Sequence, residues 1–433
     1  MPLKLETDNF KRLQVGISDS ELCNCKTFKD AIVIAKHLGL EYIWIDSLCI
    51  IQDDPKDWRR ESAKMSNVYG RSSINISATS AKDGTMGCFS TGVWKIRLPI
   101  CICEETRLWD FWVDDPYRNF VEEPLLRRAW TFQERFLAPR TLHFTNSQIF
   151  WECNENHWCE TYPNGTLLRR TQPSRFPKVA QKPSEIWPNT VTLYSTGSLS
   201  YPTDKLVAIS GVAKWLGAQT KDDYLAGIWR KDLVKQLCWK RDMVQFDSSS
   251  HTRPTAYLAP SWSWASIIGS ISYSRFLRLE WAEELIRPGT QVRVLSAHTV
   301  LEDENCRFGK VKTGVLRLVV ERLIFGFAMW KGPYDVRQRI SSRWRELSSA
   351  KNIYWDCPKE PKNSVYILTV FSTNIAEYGI ILEPTDESRR GEYRRVGYYE
   401  SGGASSFPLD EDDELLYEGV EENGEKLRVI SIV

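Results

Sequence analysis

The chain has 433 residues, and its 57 lysines and arginines nearly cancel its 56 aspartates and glutamates, for a formal charge of +1. That balance argues against a nucleic-acid binder held by net charge, and no apolar run approaches the roughly 18 residues of a membrane span. The opening MPLKLETDNFKRLQ lacks the apolar core of a secretory signal, so the expectation is a cytosolic protein of two or three domains at about 150 residues each. Its 11 cysteines include no paired CxxC frame, which predicts reduced thiols and no zinc site.

The first half alternates helix and strand signals. Thr27-x-x-Asp30 resembles a capping box, and Ala31, Ile32, Ile34, Ala35 and Leu38 form a helical stripe that Gly39 closes. Tyr42-Ile43-Trp44-Ile45 is apolar at consecutive positions and predicts a strand buried on both faces. Pro55 and Asp57 open a second helix through Tyr69, and Ile74, Ile76 and Ala78 alternate as a strand should. Leu126 to Leu137 reads as a third helix, followed by strands at Thr141–Phe144 and Gln148–Trp151. This order is that of an α/β domain with a parallel sheet, whose crevice lies beyond the carboxyl ends of the strands. The domain is expected over residues 1–155.

Residues 156–201 are rich in Pro, Asn, Ser and Thr and read as a connector. A helical segment is expected over 202–256, from stretches at Asp204–Leu216 and Tyr224–Trp239. Residues 257–433 carry short alternating runs at 292–295, 315–320, 365–370, 379–382 and 395–399 and predict a β-rich C-terminal region, a small sandwich or barrel. Acidic loops are expected at 402–414 and 421–425.

Glu61 carries the most chemical information. At about 100° per residue it falls inside the stripe of Trp58, Met65, Val68 and Tyr69. A carboxylate on an apolar face must be paired, hydrogen-bonded or protonated. Two readings stay open: a structural Glu held by backbone or an Arg, and a functional acid. Gln133 and Glu134 flank the line of Trp130 and Leu137, near Arg127, Arg128 and Arg140. They predict an Arg–Glu network fixing the helix, or a polar pocket. Asp46 and Ser47 end the Tyr42 run, as a turn or as contacts to ribose or phosphate. Cys49 and His143 are the residue types of a thiol–imidazole pair. Pro260-Ser-Trp-Ser-Trp-Ala-Ser266 is read as core packing, its two tryptophans pointing the same way from a strand. No Rossmann fingerprint, Walker A, G-x-S-x-G or H-E-x-x-H motif occurs.

Three blocks resemble the signature of the fungal heterokaryon incompatibility (HET) domain: Gly39 to Asp54, Asp57-Trp58-x-x-Glu61-Ser62-x-x-Met65-x-x-Val68-Tyr69, and Arg128 to Leu142. Later segments, Asp223–Trp229, Pro260–Ser266 and Arg394–Gly397, resemble those that follow the domain in such proteins. The resemblance implies non-self recognition after cell fusion and programmed cell death, with other incompatibility proteins or self-association as partners. It also implies a TIR-like fold. Some TIR domains cleave NAD with a helical glutamate, a position that Trp58-x-x-Glu61 resembles. On that basis Glu61 is the expected catalytic residue, with Asp46, Ser47 and Trp58 as nucleotide contacts and NAD as substrate rather than cofactor; a non-catalytic signalling module or degenerate paralogue is the alternative. The family pattern opens with a further strand ending in a Ser/Thr-x-x-Trp-Gly turn, and this chain starts after it, so the resemblance implies a domain truncated at its N-terminus.

Overall fold

The structure is a computed structural model that describes residues 3–89, 100–104, 107–111, 120–161, 163, 183–242, 252–274, 292–321, 323–328, 336–340, 343–346, 351–357, 365–373, 376–386, 389–402, 416–422 and 424–433. It divides into two units, Met1–Ala180 and Gln181–Val433.

In the first unit, Ala31, Ile34 and Ala35 form the buried stripe of the Lys26–His37 helix. Gly39 (φ +70°) ends it, as Leu40 N donates to Ala35 O and Gly39 N to Lys36 O, the paired bonds of a Schellman motif. Thr27 and Asp30 do not cap this helix. They accept backbone N–H groups from Gly87 (3.2 Å) and Cys88 (2.8 Å) instead. The expected Pro55–Tyr69 helix divides at Ala63–Lys64 into Pro55–Ser62 and Met65–Gly70. Asp54 caps the first piece through Lys56 N (2.8 Å), with Pro55 in the first turn.

The sheet is mixed rather than parallel. Asn75–Ser77 pairs parallel with Arg140–Phe144, and the crossover between them carries the Ala129–Leu137 helix. Ile149–Cys153 and His157–Cys159 then add antiparallel. The Tyr42–Ile45 run is not a strand. Tyr42 is 89% exposed and Ile43 39%, and no described residue supplies it with a ladder partner. A strand buried on both faces needs such partners for its backbone groups. Ile34, Ala78, Ala81, Cys88 and Phe144 pack one core cluster, with Phe120, Phe150 and Cys159 in a second. Within the sheet, Thr79 Oγ1 meets His143 Nδ1 (3.1 Å), His143 Nε2 meets Glu152 (3.2 Å), and Arg135 grips Glu152 with two bonds of 2.6 and 3.0 Å.

In the second unit, the Pro183–Tyr194 helix falls where a connector was expected, burying Trp187, Val191 and Tyr194. Those large apolar groups outweigh the Pro and Asn content of the stretch. The helix expected over Tyr224–Trp239 is also replaced. Tyr224–Leu225 and Ile228–Trp229 form a hairpin, followed by the Leu233–Gln236 turn of helix and the strand Trp239–Arg241. The hairpin turns on Ala226 (φ +46°) and Gly227 (φ +99°), the two positive φ angles of a tight primed turn. Gly227 O accepts from the indoles of Trp187 (2.8 Å) and Trp264 (2.7 Å). The Pro260–Ser266 run is a turn with a 3-10 segment, not a strand, yet Trp262 and Trp264 are fully buried as expected.

The β-rich region is borne out. Strands Val292–Leu301, Val311–Val320, Val365–Ser372, Ala376–Pro384 and Glu392–Gly402 contain the five expected runs and share one large sheet with Glu425–Ile432. Arg395 is buried in an ion pair with Asp356 (2.6 Å) and lies 3.4 Å over the Trp239 ring. The loop expected at 402–414 lies almost wholly outside the described residues, and of the one expected at 421–425, Glu421, Glu422 and Glu425 lie in two paired strands.

Candidate functional site

The three sequence blocks meet in the first unit through ring contacts, and the first of them forms the short Asp46–Cys49 helix. Backbone bonds fix its position: Leu5 N donates to Ser47 O and Gln52 N to Leu5 O, each 2.8 Å. Asp57, whose carboxylate accepts Ile51 N (2.9 Å), holds the following turn against the Pro55–Ser62 helix. Asp46 Oδ1 accepts Ser47 N (2.6 Å). The enclosed Ser47 Oγ has no hydrogen-bond partner among the described residues, an unsatisfied group that a ligand would serve.

Glu61 comes from the second block. Its carboxylate accepts from Lys64 Nζ (2.8 Å) and Arg60 Nε (3.1 Å). Its side chain is 19% exposed, with Arg60 and Lys64 as its ion-pair partners. The Lys64 bond, followed by that of Arg60, holds its carboxyl below the ordinary value. Both Glu61 and Asp46 act electrostatically on the Cys49 thiol, which burial first and these charges next push up. Trp58 meets Trp130 edge to face at 6.0 Å, joining the second block to the third.

Glu134, from the third block, behaves in the opposite way. Desolvation, then the nearby Asp46 carboxylate, raises it to about 7, against the pull of Arg128 and a hydrogen bond from Tyr69. Although the residue keeps some accessible surface, its carboxyl is the desolvated part. Tyr69 in turn packs edge-on to Trp44 at 5.7 Å, and burial drives its phenol far up. Of the expected Arg–Glu arrangement, Arg128 acts on Glu134 electrostatically. The contributions of Tyr69 and Asp46 were hidden, because sequence spacing on one helix says nothing of a carboxylate supplied by a distant turn. Cys49 and His143 do not form the thiol–imidazole arrangement: His143 is engaged by Thr79 and Glu152, whereas Cys49 feels the charges of Asp46 and Glu61.

Glu61 and Glu134 thus differ in proton affinity, the property that separates acid and base roles where two such groups share a site. A carboxylate held ionised stabilises developing positive charge, and a carboxyl titrating near neutrality gives or takes a proton. Among the described residues no group of three or more His, Cys, Asp or Glu is placed to hold a metal ion, and no helix is long and apolar enough to cross a membrane.

A family model described as heterokaryon incompatibility protein (HET) matches residues 4–134. No curated protein and no solved structure matches the chain. The match takes in all of the first two blocks and the opening of the third, so the chain carries a HET domain across residues 4–134.

Proposed function

We propose that this protein acts in heterokaryon incompatibility, linking non-self recognition to programmed cell death by cleaving NAD or a related nucleotide at its glycosidic bond. The observation that carries the reading is the convergence, within the HET domain, of carboxyl groups from all three blocks on the Asp46–Cys49 turn. In this account Glu61 is the ionised carboxylate beside the ribose. As the nicotinamide departs, the ring takes oxocarbenium character, and a carboxylate stabilises that charge or orients water for attack. Asp46 and the unsatisfied Ser47 Oγ receive the ribose hydroxyls, and Trp58 supplies a ring face. Glu134, protonated in part at neutral pH, spares the site the repulsion of a third negative charge.

A second reading rests on the ion pairs of Glu61 with Arg60 and Lys64. A carboxylate so occupied serves as a structural tie, and the chain then signals by self-association or by contact with other incompatibility proteins without turnover. Incubation of purified protein with NAD separates the two. Nicotinamide release that Glu61→Gln abolishes, with folding unchanged, supports cleavage. Cell death on expression, without release at high protein concentration, supports the module.

A further inference from the structure

The Gln181–Val433 unit contains a cavity of about 300 Å3, at the small end of the range for ligand pockets. The end of the Pro183–Tyr194 helix and the turn that follows form one wall, and Ile268–Ser270 the other. Thr196 and Ser198 are exposed and mark its solvent side. Lys205 is the basic residue among the described lining residues and is only 6% exposed.

The surroundings of Lys205 are unusual for a lysine. Its Nζ donates to the carbonyls of Ile267 and Trp264 (3.5 Å) and lies 5.2 Å from the Trp264 ring centroid. Its main-chain carbonyl is pinned by Tyr194 Oη (2.6 Å). The adjacent Asp204 is turned to Lys310 (3.3 Å), and the neighbour that favours the charged amine is the Cys357 thiol. Among the described residues Lys205 therefore has no carboxylate partner. A neutral amine has two N–H donors and one lone pair. The two carbonyls take both donors, and the lone pair stays free. Burial lowers this amine to about 7, which agrees with that count.

We propose that Lys205 is a nucleophilic amine that captures a small aldehyde or ketone in this cavity as a Schiff base. Its lone pair attacks the carbonyl carbon while the carbonyl π pair moves to oxygen. One amine hydrogen follows to give the carbinolamine, and the second leaves with that oxygen as water when the C=N bond forms. No oxidant or reductant is consumed. The inference concerns the second unit and does not depend on the chemistry of the HET domain.

The test uses the full chain with propanal and sodium cyanoborohydride at pH 7, which fixes any imine, followed by digestion and peptide mapping. Propylation of Lys205 should outpace that of exposed lysines at least about tenfold, because their neutral fraction at that pH is about a thousandth or less. Equal labelling of all lysines, or an unlabelled Lys205, overturns the proposal. Ser198→Trp, on the exposed side, should slow capture at Lys205 and leave the surface lysines unchanged in a normally folded protein. Undiminished capture in that variant would overturn the assignment to this cavity.

Discussion

Glu61 and Glu134 differ in proton affinity because their neighbours differ. The first accepts from two cations, and the second is desolvated beside another carboxylate. Asp46→Asn removes that neighbouring charge, so the Glu134 midpoint should fall from about 7 toward the ordinary 4.5. A carbon-13 carboxyl titration reads this directly, and an unmoved midpoint would show that Asp46 does not act on Glu134. Tyr69→Phe removes a bond that favours the ionised form, so the same titration should move the opposite way. Glu61 was legible in the sequence as a carboxylate on an apolar stripe. Its two cationic partners, Arg60 on the same helix and Lys64 at the break that follows, were near in sequence, but spacing alone did not reveal that they close over it.

At the scale of elements, legibility followed how local the determining forces are. The Lys26–His37 helix is specified by its own stripe and by Gly39, and its stop was readable. Tyr42–Ile45 has a strand's composition but no ladder partner among the described residues, a non-local condition that composition does not encode. Tyr224–Trp239 has helical periodicity, yet Ala226 and Gly227 turn it into a hairpin whose carbonyl anchors two buried indoles. A Cβ on Gly227 would stand 2.7 Å from Trp264 Nε1. Gly227→Ala combines that clash with a positive φ and should destabilise the protein by at least about 1 kcal/mol in urea unfolding. A neutral result would mean that the turn and the indoles adjust freely. Asp356→Ala strands the buried Arg395 charge and should cost about 3–5 kcal/mol. A change below 1 kcal/mol in the same assay would show that Arg395 finds another partner.

For the whole molecule, the near-cancellation of charge leaves pH dependence to a few enclosed groups. Burial holds His143 below its ordinary 6.5, so its stabilising neutral form is challenged as pH falls below that value. Glu134, raised in the fold, contributes stability that is present below 4.5 and lost as pH rises through about 7. Just below 6.5 the two act in opposite directions, and the dependence there should be shallow. Below 4.5 Glu134 is protonated in both states and drops out, whereas Glu152, held ionised by Arg135 and His143, still resists protonation in the fold. Stability should then fall steeply, as the urea midpoint measured below pH 4.5 would show. A midpoint that holds steady there would place the Arg135–Glu152–His143 network outside the stability of the fold.

The β-rich half was readable at this scale because five alternating runs each carried their own pattern. The carboxyl cluster was not, since it is assembled from residues 46, 61 and 134 only by folding. Its proposed chemistry is tested most directly by nicotinamide release from NAD, comparing the full chain with Glu61→Gln at matched folding. The former should release nicotinamide, and the latter should lose about 100-fold or more of that release. Equal release by both proteins would contradict the role given to Glu61, and no release from the unaltered chain would contradict cleavage itself.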